Sequence, residues 1–167
     1  MHNRDADEIS IRRAESHDDY RAFTDLACEY LDSLGFEVDF QDVDREMAEA
    51  QRRYGEAGRG AALLVVNRAG EVVGIAALRD LGAGACELKR MYVKPTHRGS
   101  GIGRSLCETA ICVAQRLGYQ TMRLDTMRRM TAATRLYESL GFRRIQPYTL
   151  NPLPDAQFYE RELDTSA

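Results

Sequence analysis

Three glycines, Gly99, Gly101 and Gly103, fall where a strand-like run hands over to an amphipathic helix. The segment reads Arg98-Gly99-Ser100-Gly101-Ile102-Gly103-Arg104. Glycines there let the backbone turn tightly and aim several N–H groups at one point. The first helical N–H groups have no intrahelical partner, and the helix dipole adds positive potential, so the segment is a candidate cradle for a phosphate or pyrophosphate. Taken alone, the glycines also read as plain turn residues. Two common phosphate motifs fail at a required position. A P-loop needs Gly-Lys before Ser or Thr, and the chain has no Gly-Lys. A GxGxxG fingerprint fits Gly99 and Gly101 but meets Arg104 at its third glycine.

The hydrophobic period places this segment in a larger pattern. Ile9 and Ile11 alternate with polar residues as a short strand. Asp18 and Asp19 open a helix with Phe23, Leu26, Ala27, Tyr30, Leu31 and Leu34 on one stripe, stopped by Gly35. A second helix carries Val43, Met47, Ala50 and Tyr54, ending near Gly55. Ala61 to Asn67 and Glu71 to Arg79 then read as a hairpin turning at Ala69-Gly70. A strand from Cys86 to Val93 leads to the glycine segment and a helix striped by Ile102, Leu106, Ala110, Val113 and Leu117. One more strand (Met122, Leu124, Thr126), a helix (Ala133, Leu136, Leu140) and two strands near Phe142–Gln146 and Gln157–Leu163 complete the order. The prediction is an α/β (α+β) single domain, a mixed, mostly antiparallel sheet of about seven strands with four helices. Residues 8–164 form the domain, 1–7 a loose polar terminus and 165–167 a short tail.

Composition excludes several classes. At 167 residues the chain fits one domain, and its net charge of −3 argues against a nucleic-acid binder held by bulk electrostatics. The longest apolar runs, Ala61 to Val66 and Val72 to Ala77, are far short of the ~20 residues of a membrane span. No signal peptide is visible at the amino terminus, so the expected location is cytoplasmic. Cys28, Cys86, Cys107 and Cys112 show neither CxxC nor metal-ligand spacing, so no metal is expected and the thiols read as small, half-buried hydrophobes.

Beyond the glycine loop, the chain resembles the GCN5-related N-acetyltransferase (GNAT) superfamily. Arg98, Gly101 and Gly103 match its (Gln/Arg)-x-x-Gly-x-(Gly/Ala) acyl-CoA motif. Met91-Tyr92-Val93-Lys94-Pro95 looks like the strand leading into that motif. Ala133, with Leu136-Tyr137-Glu138-Ser139-Leu140-Gly141-Phe142, looks like the family's A-x-x-L-Y-x-x-L-G-F segment. The resemblance covers roughly residues 8–164, and the element order agrees.

The resemblance implies an acetyl-CoA-dependent N-acetyltransferase acting by direct attack in a ternary complex. Two central strands would splay, and the pantetheine arm would lie between them on the main chain of Met91, Tyr92 and Val93. The Val93 N–H would polarise the thioester carbonyl. Amides of Arg98, Gly99, Ser100, Gly101, Ile102, Gly103 and Arg104 would hold the pyrophosphate. Met130 and Ala133 would line the arm, although Met130 stands where many members carry Asn and has no side-chain donor. The adjacent charges Lys89-Arg90 break the strand's alternation, as a bulge opening the gap would. Without a bulge, alternation puts Glu87, Lys89, Met91 and Val93 on one face.

Two catalytic candidates follow from the same resemblance. Glu87 stands where some members carry a general base, with a structural ion pair as its other reading. Tyr137 matches the tyrosine that protonates the departing thiolate, and its place on an apolar helix stripe also suits core packing. The acceptor is expected to be a small-molecule or peptide amine, with a homodimer admitted. Between Glu29 and Glu49 lie eight acids and one base, an acidic rim for a cationic amine or simply a solvated helix face. Tyr148-Thr149-Leu150-Asn151-Pro152 is a candidate opposite wall. A non-catalytic acyl-CoA or nucleotide sensor, and a phosphate-binding interaction domain, are the alternatives.

Overall fold

The computed structural model describes residues 8–35, 40–55, 59–151 and 153–164, with side chains of 40–43 excluded. The expected loose terminus 1–7, the tail 165–167, the Val43 side chain, the acids Glu37, Asp39 and Asp42, and Pro152 lie outside that description. The strands are β1 (Ile9–Arg13), β2 (Ala61–Asn67), β3 (Val72–Gly82), β4 (Ala85–Val93), β5 (Thr121–Met127), β6 (Arg143–Ile145) and β7 (Ala156–Glu162). The helices are α1 (His17–Ser33), α2 (Phe40–Ala48), α3 (Ala50–Tyr54), α4 (Ile102–Arg116) and α5 (Thr131–Ser139). One seven-stranded sheet runs β1-β2-β3-β4-β5-β7-β6, and its β4–β5 pair is parallel while the other pairs are antiparallel. None of the described helices is long and apolar enough to cross a membrane.

Side-chain alternation divides the core between the two faces of this sheet. Leu63, Val65, Cys86, Leu88, Met122 and Leu124 pack with Leu106, Ala110 and Tyr137 under α4 and α5. Ala62, Leu64, Ile75, Ala77 and Tyr92 pack with Phe23, Ala27 and Tyr54 under α1 and α3. Helix α1 starts at His17, one residue before the first of the two acids. Ser16 caps it, accepting from the Asp19 N–H at 3.1 Å, while Asp19 accepts from the Ser16 N–H, a reciprocal capping box.

The single second helix expected over Val43 to Tyr54 is two, so the described residues hold five α-helices where four are expected. The break falls at Glu49 (φ −103°, ψ 7°), where the sequence carries no glycine or proline. Tertiary bonds explain it. Buried Glu46 of α2 is bound to Arg90 of β4 and to Tyr54 of α3, so α2 and α3 are each seated by that contact. Glu49 itself meets Arg52 and Arg53 just beyond the break, at 3.2 and 3.3 Å.

The β4–β5 pair determines where a ligand can enter. Its parallel register joins Ala85 to Thr121, Cys86 to Met122 and Glu87 to Arg123, and then the strands part. Across β4, the ladder to β3 slips by one residue between Lys89 and Tyr92. That extra residue is a bulge, and Arg90 within it has φ 54°, in the left-handed region that a side chain disfavours. The expected bulge is therefore present, and it corrects the expected alternation. Glu87 precedes the slip, on the face opposite Cys86 and Leu88, whereas Met91 and Val93 beyond it pack on the α4 face.

Candidate active site

The parted ends of β4 and β5 open onto two connected spaces. An outer groove of about 630 Å³ is lined by Met91, Tyr92, Val93, Arg98, Gly99, Gly101, Ile102, Gly103, Met130, Ala133 and Leu136, with Tyr30 of α1 across from them. An inner chamber of about 150 Å³ shares Tyr30, Met91, Met130 and Ala133 with the groove and adds Leu88, Lys89, Arg90, Asp125, Thr126 and Tyr137. The predicted cofactor residues thus gather on one surface. Ser100 and Arg104 are exceptions as side chains. Ser100 Oγ donates to the His97 carbonyl at 3.2 Å, and Arg104 donates to Ser139 Oγ at 2.7 Å, tying α4 to α5.

The glycine loop is built as the sequence requires. Gly99 and Gly101 adopt φ 84° and 85°, where other residues are strained, and Gly101 is the N-cap of α4. No side chain caps that helix, so its leading amides are left for another acceptor. A Cβ at Gly99 or Gly101 would meet nothing within 4 Å, so the loop faces open space. An unshielded amide cradle joined to a long groove suits an elongated pyrophosphate-bearing thioester, and acetyl-CoA fits these residues.

At the strand end, the Lys94 N–H donates to the Val73 carbonyl at 2.9 Å on the β3 side. Successive strand amides point to opposite edges, so the Val93 N–H points to the open edge facing β5. The Val93 carbonyl shares that edge and accepts from Arg98 Nε at 2.8 Å. The Arg98 guanidinium also lies over the Tyr92 ring, 5.4 Å from its centroid, so the motif arginine braces the strand end.

Tyr137 stands at the base of the chamber. Its ring meets Phe142 edge-on at 5.8 Å, and its hydroxyl lies 3.7 Å from Met91 Sδ, an atom of a residue shared by chamber and groove. Burial pushes the phenol well above its ordinary pKa, so it stays a hydrogen donor across the physiological range. The ring packs and the hydroxyl faces Met91.

Glu87 is buried, but it lines neither space. Arg79 donates to its Oε1 at 3.0 Å and the Tyr148 hydroxyl donates to its Oε2 at 2.7 Å. The Tyr148 ring meets Phe158 edge-on, and Arg123 lies over it. Glu87 therefore anchors the Tyr148 loop to the sheet.

Three functional features were not read from the sequence. Tyr30, assigned to the α1 stripe, lines both spaces and stacks 5.4 Å from Tyr92. Asp125 sits in β5 between buried Leu124 and Thr126, and it lines the chamber. Glu46 is no rim acid. Arg90 donates to it at 2.7 and 3.4 Å, Tyr54 donates to it, and Lys89 lies 3.6 Å away. Burial alone would raise the Glu46 carboxyl, but the charges of Arg90 and Lys89 and the bonds from Arg90 and Tyr54 outweigh it and hold the group at about 2. Glu29 accepts from the Tyr92 hydroxyl at 3.1 Å, while Asp32 and Asp44 are exposed. Cys86 and Cys107 are buried, and burial pushes their thiols up to about 12, so neither is a thiolate at neutral pH. Cys28 and Cys112 are exposed, not half-buried.

Comparison with known proteins agrees with this geometry. Residues 59–144 match the model of the acetyltransferase (GNAT) domain. The chain is 37% identical over 156 residues to an uncharacterised N-acetyltransferase of Schizosaccharomyces pombe, covering 93% of this chain and 95% of that one. A GNAT-family acetyltransferase of Staphylococcus aureus superposes with a TM-score of 0.80 at 21% identity, covering 94% of this chain and 100% of its own. An acetyltransferase structure from Salmonella typhimurium, solved with its cofactor acetyl-CoA, superposes with a TM-score of 0.69 at 24% identity, over 95% and 96% of the two chains. The protein belongs to the GNAT acetyltransferase family.

Proposed function

We propose that the protein transfers the acetyl group of acetyl-CoA to the amine of a small molecule, by direct attack within a ternary complex. The observation that carries this reading is the continuous path from the glycine loop, along the open edge of β4, to the chamber holding the Tyr137 hydroxyl. When bound, acetyl-CoA supplies an activated acetyl thioester. The amides of the glycine loop and the α4 N-terminus hold its pyrophosphate, as helix N-termini hold anions generally. The main chain of Met91 to Val93 would run beside the arm, and the Val93 N–H would donate to the thioester carbonyl and polarise it.

The proton traffic closes with two groups. The acceptor's ammonium must lose a proton before its nitrogen attacks. Asp125 lines the chamber, and among the described residues no other carboxylate does. Asn151 donates to its Oδ2 at 2.9 Å, leaving Oδ1 without a hydrogen bond among the described residues. Asp125 receives one ammonium proton, the N–C bond forms, the C–S bond breaks, Tyr137 gives its proton to the thiolate, and the second proton that the nitrogen loses on becoming an amide passes to water. Solvent then restores both groups. Glu87 has both oxygens taken and enters as the post for Tyr148, not as the base. Thiol release from acetyl-CoA with a panel of amines tests the reading. Amine-dependent release that falls in Asp125→Asn supports it, and acetyl-CoA binding without release for any amine removes it in favour of a sensor.

A further inference from the structure

The chamber gathers its two cations on one side. Lys89 and Arg90 both line it, and both lean on one carboxylate, Glu46. Arg90 and Tyr54 take the hydrogen bonds to that carboxylate. Lys89 Nζ remains 3.6 Å from Glu46 Oε1, beyond hydrogen-bond reach, and makes no hydrogen bond among the described residues. Its side chain is only 20% exposed, so a largely desolvated ammonium carries three donors with no acceptor within hydrogen-bond distance among the described residues. Such a group is costly to bury unless an anion meets it. Desolvation, with the charges of Arg90 and Arg79, pushes the Lys89 pKa down against the pull of Glu46 and Glu87. Arg90 adds direction. Its Nε and one terminal nitrogen serve Glu46, and Nη1 has no hydrogen-bond partner among the described residues.

The chamber is also polarised across its width. The two cations belong to β4, and Asp125 belongs to β5, on the other side of the parted strands. A molecule lying between them would place a negative group at Lys89 and Arg90 and a positive group at Asp125. A simple polyamine offers positive charge at both ends and would set an ammonium against two cations. Like charges at that distance in a poorly hydrated site oppose binding.

We infer that the acceptor is a compact amino acid or close analogue, whose carboxylate is received by Lys89 and the free edge of Arg90 while its amine lies at Asp125. This deepens the acetyltransferase reading and rests on it. The acid-rich α1–α2 region, read from the sequence as an acidic rim or a solvated helix face, does not oppose this, since Glu46 is consumed inside the protein and Glu29 by Tyr92. The small chamber favours a short acceptor over a peptide interior.

The test compares each proteinogenic amino acid with its amide and its decarboxylated amine, measuring thiol release from acetyl-CoA by the intact protein. Thermal shift of the CoA-saturated protein with the same compounds runs in parallel. At least one amino acid should be acetylated about 100-fold more efficiently in kcat/KM than its amide or decarboxylated amine, the scale of a lost charged contact. Lys89→Gln should raise KM for that amino acid about tenfold or more, with kcat changing much less. It should also bring acid and amide within about threefold of each other, while acetyl-CoA affinity by titration calorimetry stays unchanged. Lys89→Arg should restore much of the preference. Unchanged acetyl-CoA binding establishes that each variant is folded.

Turnover of decarboxylated amines or polyamines at least as efficient as turnover of amino acids overturns this inference and leaves the acetyltransferase reading standing. A thermal shift specific to amino acids without any thiol release supports the carboxylate site and overturns the transferase reading. Neither shift nor turnover with any amino acid overturns the inference outright.

Discussion

The two ends of the β4–β5 pair are built from the same strands and behave oppositely. At the closed end, Ala85 to Glu87 pair with Thr121 to Arg123, and Cys86 and Met122 are fully buried beneath the sheet. At the open end of β4, beyond Glu87, Arg90 sits at φ 54° and the Val93 amide points to an edge with no strand beside it. The closed end is satisfied by its own hydrogen bonds, so it has nothing to offer a ligand. The open end keeps main-chain donors unpaired, and a bulge one residue long produces the change. The lesson is that a single slipped register converts a core strand into a binding edge, provided that something holds the slip in place. Glu46 does so, reaching from α2 to take two hydrogen bonds from Arg90. A left-handed non-glycine residue carries about 1–3 kcal/mol of strain, which such a buried, hydrogen-bonded ion pair can offset.

Breaking the open end at its chemistry should give the largest effect. Tyr137→Phe keeps the ring against Phe142 and removes the hydroxyl at the chamber. Turnover should fall by about 10²–10⁴-fold with acetyl-CoA affinity nearly unchanged, compared by steady-state kinetics and calorimetry. Equal turnover would leave Tyr137 with packing alone.

The next effect comes from the clamp. Glu46→Gln leaves Arg90 and Lys89 without their counter-charge, and breaking a buried pair from one side costs about 3–5 kcal/mol of stability, read by urea denaturation. The pH dependence follows from the same carboxyl. Its folded value of about 2 lies below its ordinary 4.5, so the stability it contributes is complete above 4.5 and is lost as pH falls from there toward 2. Wild type should lose stability through that acidic window, and Glu46→Gln should lose less of it. Parallel curves for the two proteins would mean that the clamp is not ionic.

A third change sharpens the comparison at the loop. Gly101→Asp forces a side chain into φ 85° and adds negative charge at the end of α4. Acetyl-CoA affinity should fall roughly tenfold or more, by about 1.4 kcal/mol at least, in a protein that still folds. The smallest effect belongs to the closed end. Glu87→Gln removes the charge facing Arg79 but keeps a group for Tyr148, so stability should drop by about 1–2 kcal/mol. Its kcat/KM should stay within about threefold with an unshifted pH profile. A lost acidic limb would instead return Glu87 to the role of base.

What could be read from the sequence divides along this contrast too. The glycine loop, Tyr137 and the order of elements are written locally, in residues whose neighbours in sequence are their neighbours in space. The bulge was signalled by Lys89-Arg90, yet its consequence was not carried through. One inserted residue moves Met91 and Val93 to the face opposite Glu87, whose carboxylate is held instead by Arg79 and Tyr148. Glu46 and Arg90 are 44 positions apart, and nothing in either local pattern announces their bond. Asp125 looks like an ordinary outward residue of an alternating strand until the strands part beside it. Long-range partners and a local change of phase are what periodicity does not encode.

Amide hydrogen exchange, with and without acetyl-CoA, tests the difference between the two ends most directly. The account predicts that acetyl-CoA slows exchange at Val93 and at the amides from Gly99 to Arg104, while Ala85 to Glu87 and Thr121 to Arg123 exchange slowly in both states and do not change. Protection spread evenly along β4, or none at Val93 when acetyl-CoA is bound, would contradict it.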